Sequence, residues 1–253
     1  SCKLDLNGQN VTMNGTSVCS LALAEGVSAV LTDSAGGAEY HNSTTGGSYS
    51  LFNMKSNSSL TIQGGSYYDY KELLKGESES NRTLTIEGGS FRGSNHIDIG
   101  DGKVVLSGGT FYGGLSVSGS YEIKEGYCVK YLTGSNQGTY TTTLPSGKDD
   151  VEIVPLPALK GELDLQIGNG ISSAKVGTEL RATFTDKSDG DGAYIYTWYR
   201  VDGDQEEVIQ TSSSATTWKY STYSIKQADI RKQIYCKVTK EKTSGSIKSE
   251  KTY

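Results

Sequence analysis

The sequence predicts an all-β chain in two parts, a solenoid of stacked strands followed by an antiparallel sandwich. Three observations carry this reading. A strand-and-turn phrase recurs in the first half; glycine is abundant while proline is scarce; and past a proline-bearing stretch at residues 151–157 the pattern changes to longer alternating strands that hold a Trp and a Tyr-Cys pair.

The recurring phrase is Leu60-Thr-Ile-Gln-Gly-Gly-Ser66, then Leu84-Thr-Ile-Glu-Gly-Gly-Ser90, then Val104-Val-Leu-Ser-Gly-Gly-Thr110. Each copy alternates apolar and polar residues, turns at a glycine pair and continues through a hydroxyl residue to an aromatic, as a half-buried strand and a sharp corner do. Gly64, Gly88 and Gly108 lie 24 and 20 residues apart. A repeat of that length, built from one strand and one turn, predicts copies stacked as a solenoid. Alternation then sends Leu60, Leu84 and Val104 inward as one column and Ile62, Ile86 and Leu106 as a second. Tyr67, Phe91 and Phe111 form a third, aromatic column. Thr61, Thr85 and Val105, with Gln63, Glu87 and Ser107, are expected to face out. The glycine pairs suit a corner that needs positive φ. No Lys follows them and no helix starts there, so a phosphate-binding loop is not indicated.

The totals agree. The chain has 253 residues with 32 glycines, 3 prolines and 17 tyrosines, enough length for one or two domains with a sizeable core. Its 24 basic and 29 acidic residues leave a net charge of −5. That balance argues against a nucleic-acid surface or an anionic membrane surface as partner. No apolar run approaches the roughly 18 residues of a membrane span, and the N-terminus lacks a charged and hydrophobic leader. For an exported protein, the signal and any anchor would then lie outside this chain.

In chain order, Cys2-Lys-Leu-Asp-Leu-Asn-Gly8 reads as a strand closed by an Asn-Gly turn, followed by short strands at 11–13, 20–24 and 27–33. Leu4 and Leu21, like Leu6 and Leu23, are 17 apart and read as equivalent positions of successive rungs. Cys2 and Cys19 share the offset, which predicts a disulfide between neighbouring rungs. The stretch Lys71 to Lys75, inside the charged loop that runs from Tyr68 to Ser80, reads as one helical turn. Leu115 to Gly119 and Tyr121 to Leu132 read as final rungs, with Thr133 to Thr143 covering the open end. The Leu4-Asp-Leu-Asn-Gly8 strand, the later Val30-Leu-Thr-Asp-Ser-Ala-Gly-Gly37 and the Gly-Gly-Ser/Thr repeats together resemble the right-handed parallel β-helix modules of large surface proteins of Gram-positive and gut bacteria. The resemblance covers about residues 3–130.

Val151-Glu-Ile-Val-Pro-Leu-Pro157 reads as an extended connection, giving a β-helix domain at 1–153, a linker at 154–160 and a second domain at 161–253. The latter carries strands at Lys175–Phe184, Tyr194–Arg200, Gln233–Thr239 and Gly245–Ser249, with Trp198, Ala228-Asp-Ile230 and Tyr235-Cys236 in the order of an immunoglobulin-like sandwich. It closely resembles bacterial Ig-like modules. No cysteine stands near Arg181 to Phe184, so Cys236 lacks the usual inter-sheet partner, and Trp198 and Cys236 are expected in the core with the thiol reduced.

Chemistry-bearing residues are few. Cys2, Cys19, Cys128 and Cys236 form no CxxC, and His41 and His96 stand 55 apart, so a zinc site is not expected. No cofactor and no metal site are assigned. Polysaccharide lyases and hydrolases on β-helices need clustered acids on one outward face; here Asp98 and Asp101 are the nearest pair, and Asp101-Gly reads as a turn. Asp186, Asp189 and Asp191 offer hard oxygens for Ca²⁺ but lack the closing Glu of an EF-hand loop. His41 and His96 read as surface residues. Tyr68, Arg92 and Tyr112 each follow a buried aromatic and form an outward column suited to a sugar or a protein. The resemblance implies an extracellular, cell-surface, adhesin-like role without catalysis, the β-helix binding glycan or matrix protein and the Ig-like module acting as spacer. A β-helix lyase or hydrolase and a purely structural stalk are the alternatives.

Overall fold

A computed structural model describes residues 2–13, 19–42, 50–68, 70–75, 80–167, 174–189, 191–214 and 219–249. The chain divides into two compact units, Ser1–Pro155 and Leu156–Tyr253.

The first unit is a three-walled parallel β-helix. Its first turn is β1 (Cys2–Asp5), β2 (Val11–Met13) and β3 (Cys19–Leu23); the second is β4 (Ser28–Thr32), β5 (Glu39–Asn42) and β6 (Ser50–Met54). The third is β7 (Ser59–Ile62), β8 (Ser66–Tyr68) and β9 (Glu72–Leu74), and the fourth opens with β10 (Thr83–Ile86) and β11 (Ser90–Arg92). The eleven-residue β12 (His96–Leu106) bends around a corner, closing the fourth turn on β9 and opening the fifth on β10. After β13 (Thr110–Tyr112), β14 (Ser116–Ile123) does the same. Gly100 and Gly119, both at positive φ, sit at these bends.

Register confirms the columns. Leu60, Leu84 and Val104 pair in line, as do Ile62, Ile86 and Leu106, and all six are fully buried. Tyr67 stacks on Phe91 and Phe91 on Phe111, with ring centroids 5.1 and 4.9 Å apart. The two glycines of each pair serve different ends. Gly65, Gly89 and Gly109 take φ of 91°, 105° and 102°, whereas Gly88 and Gly108 pass so near the turn before that a Cβ would meet backbone oxygen at 2.6 and 2.0 Å. Ser107, expected outside, is buried.

The structure corrects the early rungs. Leu4 pairs with Leu31, and Leu21 with Phe52, so the 17-residue offset joins two walls of one turn rather than two turns of one wall. Cys2 and Cys19 accordingly align with Ala29 and Ser50 on different walls, which removes the premise of their disulfide. Cys2 is exposed with a free thiol, and the Cys19 side chain lies outside the described residues. The expected helical turn at Lys71 to Lys75 is instead strand β9, because Leu73 and Leu74 are both wholly buried.

The expected final rung at Tyr121 to Leu132 holds for Tyr121 to Ile123, which lie parallel and in register on Val104 to Leu106, and is revised beyond them. β15 (Tyr127–Tyr131), β16 (Tyr140–Thr141) and β17 (Val151–Pro155) are antiparallel, and β17 lies between β13 and β15. The edge of β13 is thereby paired rather than left open. Val154 and Pro155 thus belong to a strand, not to a linker, and Leu159 enters the core of the second unit, where Ala158 bridges Ser244.

That second unit is an Ig-like sandwich. One sheet runs β18 (Gly161–Ile167), β19 (Glu179–Asp186), β22 (Tyr220–Ser224); the other runs β21 (Gln205–Ser214), β20 (Tyr194–Asp202), β23 (Gln233–Lys240), β24 (Ile247–Lys248), all antiparallel. Trp198 and Cys236 pair across β20 and β23 and are fully buried. Ala182 holds an inward position on β19, and the Trp198 indole N–H donates to Ser221 Oγ at 3.0 Å.

Candidate ligand-binding face

The middle wall of the β-helix carries the outward column. Because Tyr67, Phe91 and Phe111 point into the core, the next residue of each short strand must point out. Pairing puts Tyr68, Arg92 and Tyr112 in one line and adds His41 at its head. Four rungs at about 4.8 Å each give a ladder roughly 14 Å long. The Arg92 guanidinium lies 3.6 Å from the Tyr112 ring centroid, and His41 stacks on Tyr68 at 4.6 Å with planes 6° apart. Glu39 ties the upper end, bonding His41 Nε2 at 3.1 Å and accepting the Tyr68 hydroxyl at 3.5 Å.

These contacts change what the ladder can do. One face of Tyr68 and one of Tyr112 are covered by their neighbours, so the wall presents ring edges, a phenol and a guanidinium more than open aromatic faces. Such a surface suits hydrogen bonding to a hydroxyl-rich ligand, with stacking secondary. The charged loop that follows Tyr68 is drawn in part into the core. Tyr70, Leu73 and Leu74 are core residues, and residues 76–79 lie outside the described residues.

At the corner past Arg92 and Tyr112 the chain is pinned by buried Asn95. Its Nδ2 donates to the carbonyls of Tyr112 and Gly114, each at 2.8 Å, and its Oδ1 accepts the Tyr70 hydroxyl. A cleft of about 500 Å³ opens there, lined in part by His96, Ser116 and Lys148. His96 Nδ1 and Ser116 Oγ lie 2.9 Å apart. Sequence reading treated both histidines as isolated. The signal for His41 was present, since Gly36-Gly37-Ala-Glu-Tyr40-His41 repeats the glycine pair and aromatic with one inserted residue.

Of the acidic candidates, Asp98 and Asp186 are engaged within the fold. Asp98 Oδ1 accepts the Gly100 amide at 3.2 Å, bracing the bend of β12, while Asp101 follows on the far side of that bend. Asp186, with a side chain only 6% exposed, accepts Tyr194 O–H at 2.6 Å, Lys240 Nζ at 2.9 Å and the Ser188 amide at 2.8 Å. Burial disfavours its charge, but these donors prevail and hold the carboxyl far below the usual range. Asp186 is thus paired with the Lys240 ammonium, while Asp189 and Asp191 are exposed. Among the described residues no helix is long and apolar enough to cross a membrane.

No protein-family model and no curated protein matches this chain. A solved structure, the enzymatically active domain of tailspike protein 4 of bacteriophage CBA120, aligns over 95% of this chain at 9% identity with a TM-score of 0.28. The chain spans 44% of that protein's length. A likeness of this size carries no argument about fold or activity, which rest on the geometry above.

Proposed function

We propose that this chain is a non-catalytic extracellular surface module whose β-helix binds glycan along its middle wall, with the Ig-like sandwich as spacer. The in-register ladder of His41, Tyr68, Arg92 and Tyr112 carries this reading. A row of hydroxyl, imidazole and guanidinium groups at a regular rise of about 4.8 Å offers repeated hydrogen bonds to a repeating ligand. The short parallel strands support it, because they hold those side chains on a rigid scaffold. Asp98 is spent on a corner and Asp186 on an internal ion pair, which favours binding over turnover.

The test is a glycan array and a panel of matrix proteins probed with the full chain and with a Tyr68→Ala/Arg92→Ala/Tyr112→Ala variant. Glycan binding by the parent, lost in the variant at an unchanged thermal midpoint, is the expected result. Binding that survives the triple change places the site elsewhere, capture of matrix protein alone changes the ligand class, and release of reducing ends from a polysaccharide makes the chain an enzyme.

A further inference from the structure

We infer that the cleft beside the ladder is a subsite for the acidic group of a polysaccharide, a uronate carboxylate or a sulfate ester. The inference rests on the glycan reading of the ladder and adds the charge of the ligand. Three observations carry it.

The first is position. Arg92 and Tyr112, the last two rungs, are followed directly by Gly93 and Gly113, so a ligand lying along the ladder runs straight into the cleft at the next corner. The second is construction. Asn95 fixes the floor through both turns, and Gly93, Gly114 and Gly147 keep side chains out of the rim. At Gly93 a Cβ would strike Tyr70 at 2.8 Å, and at Gly114 it would strike the Gly147 carbonyl at 2.5 Å, so this shape follows from close backbone packing. The third is charge. The lining contains the Lys148 ammonium, the His96 imidazole and the Ser94, Ser116 and Ser146 hydroxyls, and no carboxylate, in a chain of net charge −5. Asp150 stands at the rim, where its Oδ1 accepts the Gly113 amide at 2.6 Å. With Arg92 exposed beside it, the cleft is a local concentration of donors and positive charge, as an oxyanion requires.

Lys148 supplies the fixed charge, while His96, held by Ser116, and the hydroxyls supply directional contacts. A neutral sugar gains only the latter. The test is titration calorimetry of the full chain with an oligogalacturonate, its carboxyl-reduced neutral counterpart, a sulfated dextran oligosaccharide and plain dextran. Tighter binding of an acidic probe than of its neutral counterpart, by about tenfold, is the expected result. The acid that is preferred names the source. Lys148→Glu, an exposed change that leaves the core intact, should abolish the preference, and His96→Gln should weaken acidic binding. Equal binding of acidic and neutral probes, or a preference that survives both changes, overturns the subsite and leaves the ladder standing. Binding of no probe by the parent overturns both.

Discussion

Gly108 passes so close over Glu87 that a Cβ on it would stand 2.0 Å from the Glu87 carbonyl oxygen. At Gly88 and Gly108 the first glycine of the repeated pair is therefore set by the spacing between turns, and the second is set by positive φ. Gly108→Ala should push the fourth and fifth turns apart and cost about 3 kcal/mol. Gly126→Ala, at φ 84° with open space around it, should cost only about 1 to 2 kcal/mol of backbone strain. Urea denaturation of the two variants makes the comparison, and equal losses would refute the close-packing account.

Ile86 sits at the centre of the second inward column, between Ile62 and Leu106, with no exposure. Ile86→Ala should cost roughly 2 to 5 kcal/mol, because stacked turns on either side limit collapse of the cavity. Thr85→Ala on the outer face is the control and should stay within about 0.5 kcal/mol.

Two carboxylates make the sandwich acid-sensitive. Asp186 is buried against Lys240, and Asp229, whose side chain is wholly buried, accepts Tyr223 O–H, the Lys226 amide and Arg200. Burial opposes both charges, yet the hydrogen bonds hold both carboxyls below the ordinary 3.8. A carboxyl depressed in the folded state stabilises it at pH above the unfolded value and gives that stability up as pH falls below it. Thermal midpoints of the sandwich should thus hold from neutrality to about pH 4 and then drop. Asp186→Asn, which removes the carboxylate charge facing Lys240, should cost about 3 kcal/mol at neutral pH and flatten the acid dependence. A parent midpoint indifferent to acid would contradict the pairing.

Thiol reactivity separates the cysteines. Burial pushes the Cys236 thiol up to about 12 and Cys128 up to about 11, whereas Cys2 is exposed. In a Cys19→Ser background, maleimide should label Cys2 in the native protein and reach Cys128 and Cys236 only on unfolding. Native labelling of Cys236 would mean that the core around Trp198 opens.

By itself the sequence determined the three inward columns, the outward line of Tyr68, Arg92 and Tyr112, and the packing of Trp198 with Cys236. Each follows from alternation within a strand and from glycines that only one kind of corner admits, which are local constraints. Only the tertiary structure decided that three strands make a turn. Equivalent positions lie 27 residues apart from Leu4 to Leu31 but 17 from Val104 to Tyr121, and loops of changing length carry no hydrophobic period by which to count walls. For the same reason the 17-residue offset of Cys2 and Cys19 misled. The antiparallel β17, the pairing of Asp186 with Lys240 across 54 residues, and the placing of Lys148 and His96 on one cleft were likewise invisible. So was Arg82, a buried cation whose N–H groups satisfy the carbonyls of Met54 at 3.2 Å and Ile99 at 2.8 Å. Each of these joins groups remote in the chain because a buried charge or a strand edge must find a partner, and only the folded path determines which partner is within reach.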